Sequence, residues 1–360
     1  MCGIREACQK PATVTRPNHF HRYKSTSLSK PVDTSVLYDY EVIQKISIKD
    51  KDQPNENWNF EAYAPRIFSR LRLAFGVNES AYVESLSQES LIKGLISGNW
   101  KSLQTLHNSG RSGSFIFKTH DDFLYVKSLP LSEWTHFRNI LQDYYNYMVK
   151  NTDTLLTRFY GLYSITPPPY TDIPMITFIV MENCLSSTLE IDELYDLKGS
   201  TVNRSTPMDK RGSGVALKDL DYDLNKRKIL IPEQLKRQLY NQIESDTKFL
   251  LIRNILDYSL LLGISYGDNL TDQSVINNEK KKSYQSIFQR DNGGTRGTMT
   301  RQIHYFFGII DILTQWDINK MSEYGMKTFL LLQDSTQISA VKPPLYHKRF
   351  MDYMDKILKS

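Results

Sequence analysis

Ile255-Leu256-Asp257-Tyr258-Ser259-Leu260-Leu261-Leu262-Gly263 sets one carboxylate inside a run that is otherwise mostly apolar. Burying an unpaired charge is costly, so an acid kept there needs a partner or a function. A capped turn or a buried ion pair would answer the first need. A general base that accepts a hydroxyl proton would answer the second. Phe307-Gly308-Ile309-Ile310-Asp311-Ile312-Leu313 repeats the pattern. Here a helix cap competes with a magnesium ligand, because a metal compensates for the acid's charge. Both runs read as apolar strands, near 258–264 and 305–313, each carrying one acid.

Working towards the N-terminus, Ser109-Gly110-Arg111-Ser112-Gly113-Ser114 leads into two alternating segments, Ser114–Thr119 and Phe123–Leu129, split by His120-Asp121-Asp122. That is a hairpin pattern. Glycines in such a turn let backbone N–H groups approach phosphate oxygens closely. Lys127, on the second strand, can then reach the α- and β-phosphates, the arrangement protein kinases use. Taken singly, a Gly-Ser turn is most often structural and a strand-end lysine most often solvated. Tyr195-Asp196-Leu197-Lys198-Gly199-Ser200-Thr201-Val202-Asn203-Arg204 gathers acid, base, glycine and hydroxyls, with Lys198 and Arg204 available to an anion. A surface loop has the same composition. Together, in this order, the four stretches follow the sequence of parts in a kinase. There is no His-Arg-Asp-x-x-x-x-Asn and no Asp-Phe-Gly, which excludes an ordinary protein kinase.

Around these stretches the periodicity alternates between strand and helix. Residues 1–55 mix Pro, Ser, Thr, Lys and Asn and read as a disordered leader. Tyr63, Ile67, Leu71 and Phe75 recur at helical spacing over 60–75, and 80–96 gives a second helical pattern. Further helices are expected over 133–150, 235–252 and 346–358, and strands over 159–165 and 176–181. Residues 266–300 turn polar, with Lys280-Lys281-Lys282 and Gly293-Gly294, and read as an exposed insertion. Strands dominate the first half and helices the second, an α+β pattern with two lobes.

Composition narrows the class. Hydrophobic residues at 40% and charged residues at 24% suit a soluble globular chain. A net charge of only +5 argues against a nucleic-acid partner. Cys2, Cys8 and Cys184 show neither metal-binding spacing nor a disulfide framework, as in a reducing compartment. No apolar stretch approaches the ~20 residues a spanning helix needs. The first twenty residues lack a signal peptide's apolar core, and Gly3 is misplaced for myristoylation. Contact with a membrane is therefore expected from the cytosolic side, by the protein's surface.

The chain resembles the phosphatidylinositol phosphate kinases from about Gly110 to Met354. The resemblance rests on Gly110-x-x-Gly113-Ser114, Val126-Lys127, Thr154–Leu162, Tyr195–Thr201, Leu217-Lys218-Asp219-Leu220-Asp221, Asp257–Gly263 and Gly308–Asp311. The Tyr-Asp-Leu-Lys-Gly-Ser-Thr and Asp-Tyr-Ser-Leu-Leu blocks are its most specific parts. It implies a two-lobed, kinase-like α+β fold with an antiparallel sheet in each lobe. The lobes would run over 56–185 and 186–360, with an activation or specificity loop over 314–341.

The implied cofactors are ATP and Mg²⁺. Gly110, Ser112, Gly113 and Ser114 would cover the nucleotide phosphates, Lys127 would pair with them, and Glu133 would orient Lys127. Val180, Met181, Glu182 and Asn183 would form the hinge that holds the adenine. Asp257 would be the catalytic aspartate and Asp311 the metal ligand. Lys198, Arg204, Lys320, Glu323 and Lys327 would face the lipid headgroup.

Within the family, a glutamate at the loop position of Glu323 marks the 5-kinases of phosphatidylinositol 4-phosphate, and an alanine marks the 4-kinases of the 5-phosphate. Asp311–Asp317 and Ile338–Val341 look closer to the 4-kinase type, and Lys320-Met321 replaces the usual lysine pair. The glutamate carries the greater weight, which makes phosphatidylinositol 4,5-bisphosphate the expected product. A catalytically weak phosphoinositide-binding scaffold is the reading from another class. The resemblance also implies an anionic membrane surface as a peripheral partner, the plasma membrane above all, and a homodimer through the first lobe.

Overall fold

In the computed structural model the chain divides into two compact units, residues 1–145 with 159–182 and residues 146–158 with 183–360. The described residues are 4, 8, 39–49, 57–86, 115–119, 121–171, 174–186, 189–212, 214–226, 228–267, 286–288, 294–298, 302–316 and 341–359.

The first unit carries β1 (Ile43–Lys49), β2 (Asn57–Tyr63), α1 (Pro65–Ala74), α2 (Glu79–Ser85), β3 (Ile116–Lys118), β4 (Leu124–Ser128), β5 (Phe159–Thr166) and β6 (Ile176–Glu182). It also holds most of α3 (Leu131–Lys150). The strands form one antiparallel sheet ordered β1-β2-β5-β6-β4-β3. β1 lies inside the stretch read as a leader, and its Gln44 and Ile46 are buried. Phe60 and Tyr63 belong to β2, not to the expected helix. Pro65 explains the break: fixed φ and a missing N–H suit it to the first turn of a helix, so α1 starts there.

α3 begins at Leu131, two residues before the expected start. It buries Phe137 and Tyr144, whose rings meet Phe159 at centroid distances of 4.9 and 5.3 Å. Full burial of such a side chain contributes about 1.5–3 kcal/mol. Asp121 builds the β3–β4 turn. Its Oδ1 accepts from Thr119 Oγ1 at 2.5 Å and Phe123 N at 3.2 Å, and its Oδ2 from Ser85 Oγ at 2.5 Å.

The second unit contains β7 (Glu193–Leu197), β8 (Leu217–Lys218), α4 (Asp219–Leu224), α5 (Glu233–Ile252), β9 (Ser259–Tyr266), β10 (Thr295–Arg296), β11 (Ile303–Ile310) and α6 (Pro343–Lys359). Its sheet runs β10-β11-β9-β7-β8 and is antiparallel except for the β7–β8 pair. Leu260, Leu262, Phe307 and Ile309 are buried at 2% exposure or less, so β9 and β11 form the centre of this unit's core. The polar insertion is not wholly exposed. Phe288 is 1% exposed, its carbonyl accepts from Thr295 Oγ1 at 2.7 Å, and Thr295 opens β10. The chain is thus an α+β protein of two units, each built on a largely antiparallel sheet.

Candidate active site

Strand register assembles the second unit's polar residues. Ser259 pairs with Ile310, so Asp257, just before β9, and Asp311, just after β11, lie at one end of neighbouring strands. Leu197 pairs with Leu260, which brings Lys198 to the same end of β7. The parallel pairing of Asp196 with Lys218 brings Asp219 there as well. Two links tie the loops: Leu256 N donates to Thr314 O at 3.0 Å, and Trp316 N to Asn254 O at 2.8 Å.

The sequence suggested that Asp257 and Asp311 are buried charges. The structure corrects this. Asp257 is half-buried and Asp311 is exposed. Each adopts a left-handed backbone, φ 64° and 60°, a conformation uncommon outside glycine that turns the chain out of its apolar strand. Tyr258, between Asp257 and β9, anchors the turn. Its ring meets Tyr346 and Phe350 of α6 at 4.7 and 5.1 Å, and its carbonyl accepts from Tyr346 Oη.

Lys198 Nζ donates to the Asp257 carbonyl oxygen at 2.5 Å, which sets an ammonium beside the aspartate's main chain. Arg204 does not take the anion-facing position expected of it. Its Nε donates to Asp219 Oδ2 at 2.6 Å, and its Nη2 to Asp196 Oδ1 at 2.6 Å and to the Asp196 carbonyl. Two carboxylates offset its charge, and it is 7% exposed. Burial alone would raise the Asp196 carboxyl, but Lys198 and Arg204 outweigh it and hold the group below its ordinary value.

In the first unit, Lys127 on β4 pairs with Ile116 on one side and Ile179 on the other. Its Nζ lies 3.8 Å from Glu133 Oε2 in the first turn of α3, with both side chains mostly buried. Val180, Met181 and Glu182 close β6, with Val180 and Glu182 buried, and the chain enters the second unit at Asn183. Asn183 Oδ1 accepts from Leu185 N at 3.1 Å. Gly110, Ser112, Gly113, Ser114, Lys320, Glu323 and Lys327 lie outside the described residues.

No cluster of three or more His, Cys, Asp or Glu suited to a metal occurs among the described residues. Mg²⁺ is commonly held by one or two carboxylates plus substrate phosphates, and a hard oxygen donor at an exposed strand end fits that mode. Asp311 meets the requirement.

Two further acids, Asp219 and Asp246, carry no local signal of a role. Asp219 lies in the Leu217–Asp221 stretch without a visible partner, because its partners lie 15 to 21 residues away. Asp246, on α5, is fully buried. Its carboxylate accepts from Tyr147 Oη at 2.7 Å, Thr154 Oγ1 at 2.7 Å, Leu155 N at 2.8 Å and Gln242 Nε2 at 2.9 Å. Leu155 O in turn accepts from Ile309 N at 2.6 Å, two residues before Asp311.

The chain has counterparts among known proteins. Residues 97–357 match the family described as Phosphatidylinositol-4-phosphate 5-Kinase, and the chain belongs to that family. It is 35% identical over 318 residues to a phosphatidylinositol 4-phosphate 5-kinase of Plasmodium falciparum, covering 83% of this chain and 18% of the relative. It is 30% identical over 359 residues to phosphatidylinositol 4-phosphate 5-kinase 1 of Arabidopsis thaliana, covering 84% and 45%. It is 28% identical over 375 residues to phosphatidylinositol 5-phosphate 4-kinase type-2 gamma of Danio rerio, covering 91% and 85%. The chain therefore spans less than half the length of the first two relatives. Among the described residues no helix is long and apolar enough to cross a membrane.

Proposed function

We propose that this chain transfers the γ-phosphoryl group of ATP to the 5-hydroxyl of phosphatidylinositol 4-phosphate at an anionic membrane surface, giving phosphatidylinositol 4,5-bisphosphate. The observation that carries the reading is the register that brings Lys198, Asp257 and Asp311 to one end of β7, β9 and β11. Asp257 accepts the hydroxyl proton as the oxygen bonds to phosphorus and the bond to ADP breaks. Lys198 supplies positive charge where anionic oxygens must gather. Asp311 would hold Mg²⁺, which when bound neutralises charge on the phosphates. Lys127 of the first unit, oriented by Glu133, pairs with the nucleotide's phosphates, and the backbone of Val180–Asn183 takes the adenine. Gly110–Ser114 cover the phosphates, and Lys320, Glu323 and Lys327 read the headgroup.

The 4-kinase reading is favoured by the likeness of Asp311–Asp317 and Ile338–Val341 to that type and by the Danio relative, which this chain covers over 85% of its length. Labelled ATP, Mg²⁺ and vesicles carrying either the 4-phosphate or the 5-phosphate lipid separate the two. Faster labelling of the 4-phosphate, abolished by Asp257→Asn, supports the proposal. Preference for the 5-phosphate overturns the choice of hydroxyl, and labelling of neither lipid overturns the enzyme in favour of a phosphoinositide-binding scaffold.

A further inference from the structure

Asp219 is 2% exposed and commits both oxygens to one loop. Oδ1 accepts from Lys198 N at 2.8 Å and Gly199 N at 2.7 Å, while Oδ2 accepts from Arg204 Nε at 2.6 Å. Gly199 holds φ +68°, and a Cβ there would fall 2.9 Å from both the Arg349 carbonyl oxygen and Tyr353 Cβ. The main chain at 198–199 is thus clamped from two sides, by a carboxylate and by the wall of α6. What emerges from the clamp is the Lys198 side chain, whose Nζ reaches the Asp257 carbonyl at 2.5 Å. A buried ion pair is weak evidence for stability, since desolvation offsets most of its attraction. Holding a group in place is the better use of one, because small misplacements in an active site cost orders of magnitude in rate.

We propose that Asp219 is a positioning residue for phosphoryl transfer. It fixes the Lys198–Gly199 main chain and, with Asp196, locks Arg204, so that the Lys198 ammonium is delivered to the Asp257 loop. The proposal rests on the reading of Lys198 and Asp257 as parts of the reacting site. Arg204 serves the same end, since it spans Asp196 on β7 and Asp219 after β8 and keeps those two strand ends together.

A mutant cycle on the full chain tests this, with phosphatidylinositol 4-phosphate vesicles, ATP and Mg²⁺. Asp219→Asn alone is expected to lower kcat about 30- to 100-fold with KM for ATP within about twofold, since the amide turns an N–H towards Arg204. In the Lys198→Ala background the same change is expected to cost less than about threefold, because what Asp219 positions is already gone. Equal losses in both backgrounds, or full turnover in Asp219→Asn, overturn the proposal and leave Asp219 a structural ion pair. Full turnover in Lys198→Ala overturns the reading of the site itself, and so separates the two failures. Should Asp219→Asn not fold, Arg204→Lys, which cannot span both carboxylates, takes its place in the cycle under the same criteria.

Discussion

Four aspartates of the second unit fall into two pairs that the fold treats in opposite ways. Asp257 and Asp311 are partly or fully exposed, stand at strand ends and hold a left-handed backbone. Asp219 and Asp246 are buried to 2% and 0%, and accept three and four of the hydrogen bonds described above. A carboxylate occupied by so many protein donors can hold a loop in place but has little capacity left for a substrate proton. A left-handed residue at a strand end leaves Asp257 half-buried and Asp311 exposed, at a cost of about 1–3 kcal/mol in backbone strain. The difference separates the acids proposed to react from the acids that hold.

Asp257→Asn tests the reacting pair. Turnover is expected to fall about 10²- to 10⁴-fold while the thermal midpoint stays put, as suits loss of a general base. Transfer of labelled phosphate and a melting curve read both, and a collapse of the melt would move Asp257 to the holding pair. The next largest effect belongs to the first unit. Lys127→Met is expected to cost at least ~10²-fold in kcat/KM for ATP, and Glu133→Gln only about tenfold, because Glu133, 3.8 Å from the Lys127 ammonium, would act only through it. Steady-state kinetics at varied ATP should show that order; a larger loss in Glu133→Gln would reverse the assignment.

On the holding side, Asp246→Asn should leave turnover per folded molecule within a few fold and lower stability by about 1–3 kcal/mol, since the amide turns donors towards the Tyr147 and Thr154 hydroxyls. Denaturant unfolding measures this. The smallest effect is a pH signature. Burial pushes the Asp246 carboxyl up to about 6, against the pull of its four donors. A raised carboxyl contributes stability that is present below the unfolded value near ~4 and lost as pH climbs through about 6. The stability gap between wild type and Asp246→Asn should therefore narrow by on the order of 1 kcal/mol between pH ~4 and ~7. A gap that widens with pH would show Asp246 ionised throughout that range.

Much of this was legible in the residues. Alternation marked the β3–β4 hairpin, and an acid inside an apolar run pointed to Asp257 and Asp311. The burial expected of those two acids does not hold, because periodicity carries no sign of a single left-handed residue that lifts an acid out of its strand. β1 leaves no periodic signal because a seven-residue edge strand beside a Pro- and Ser-rich stretch contributes too few apolar positions. Phe60 and Tyr63 read as helical because spacings of four along the chain continue through Pro65, where β2 gives way to α1.

Asp257, Asp311, Lys127 and Lys198 stood out from the residues themselves, since charge, glycine spacing and apolar patterning are properties of short segments, while the hinge and headgroup residues came from the family resemblance. Which of those groups face outward, and which are engaged within the protein, depended on the folded arrangement. Arg204 looked available to an anion until β8, pairing parallel to β7, brought Asp219 within 2.6 Å of it. Asp246 lies in a stretch that reads only as helix, and it is residues 154–155, distant in sequence, that fold onto its carboxylate. Hydrogen-bond saturation depends on neighbours far away in sequence, and no local pattern encodes those neighbours.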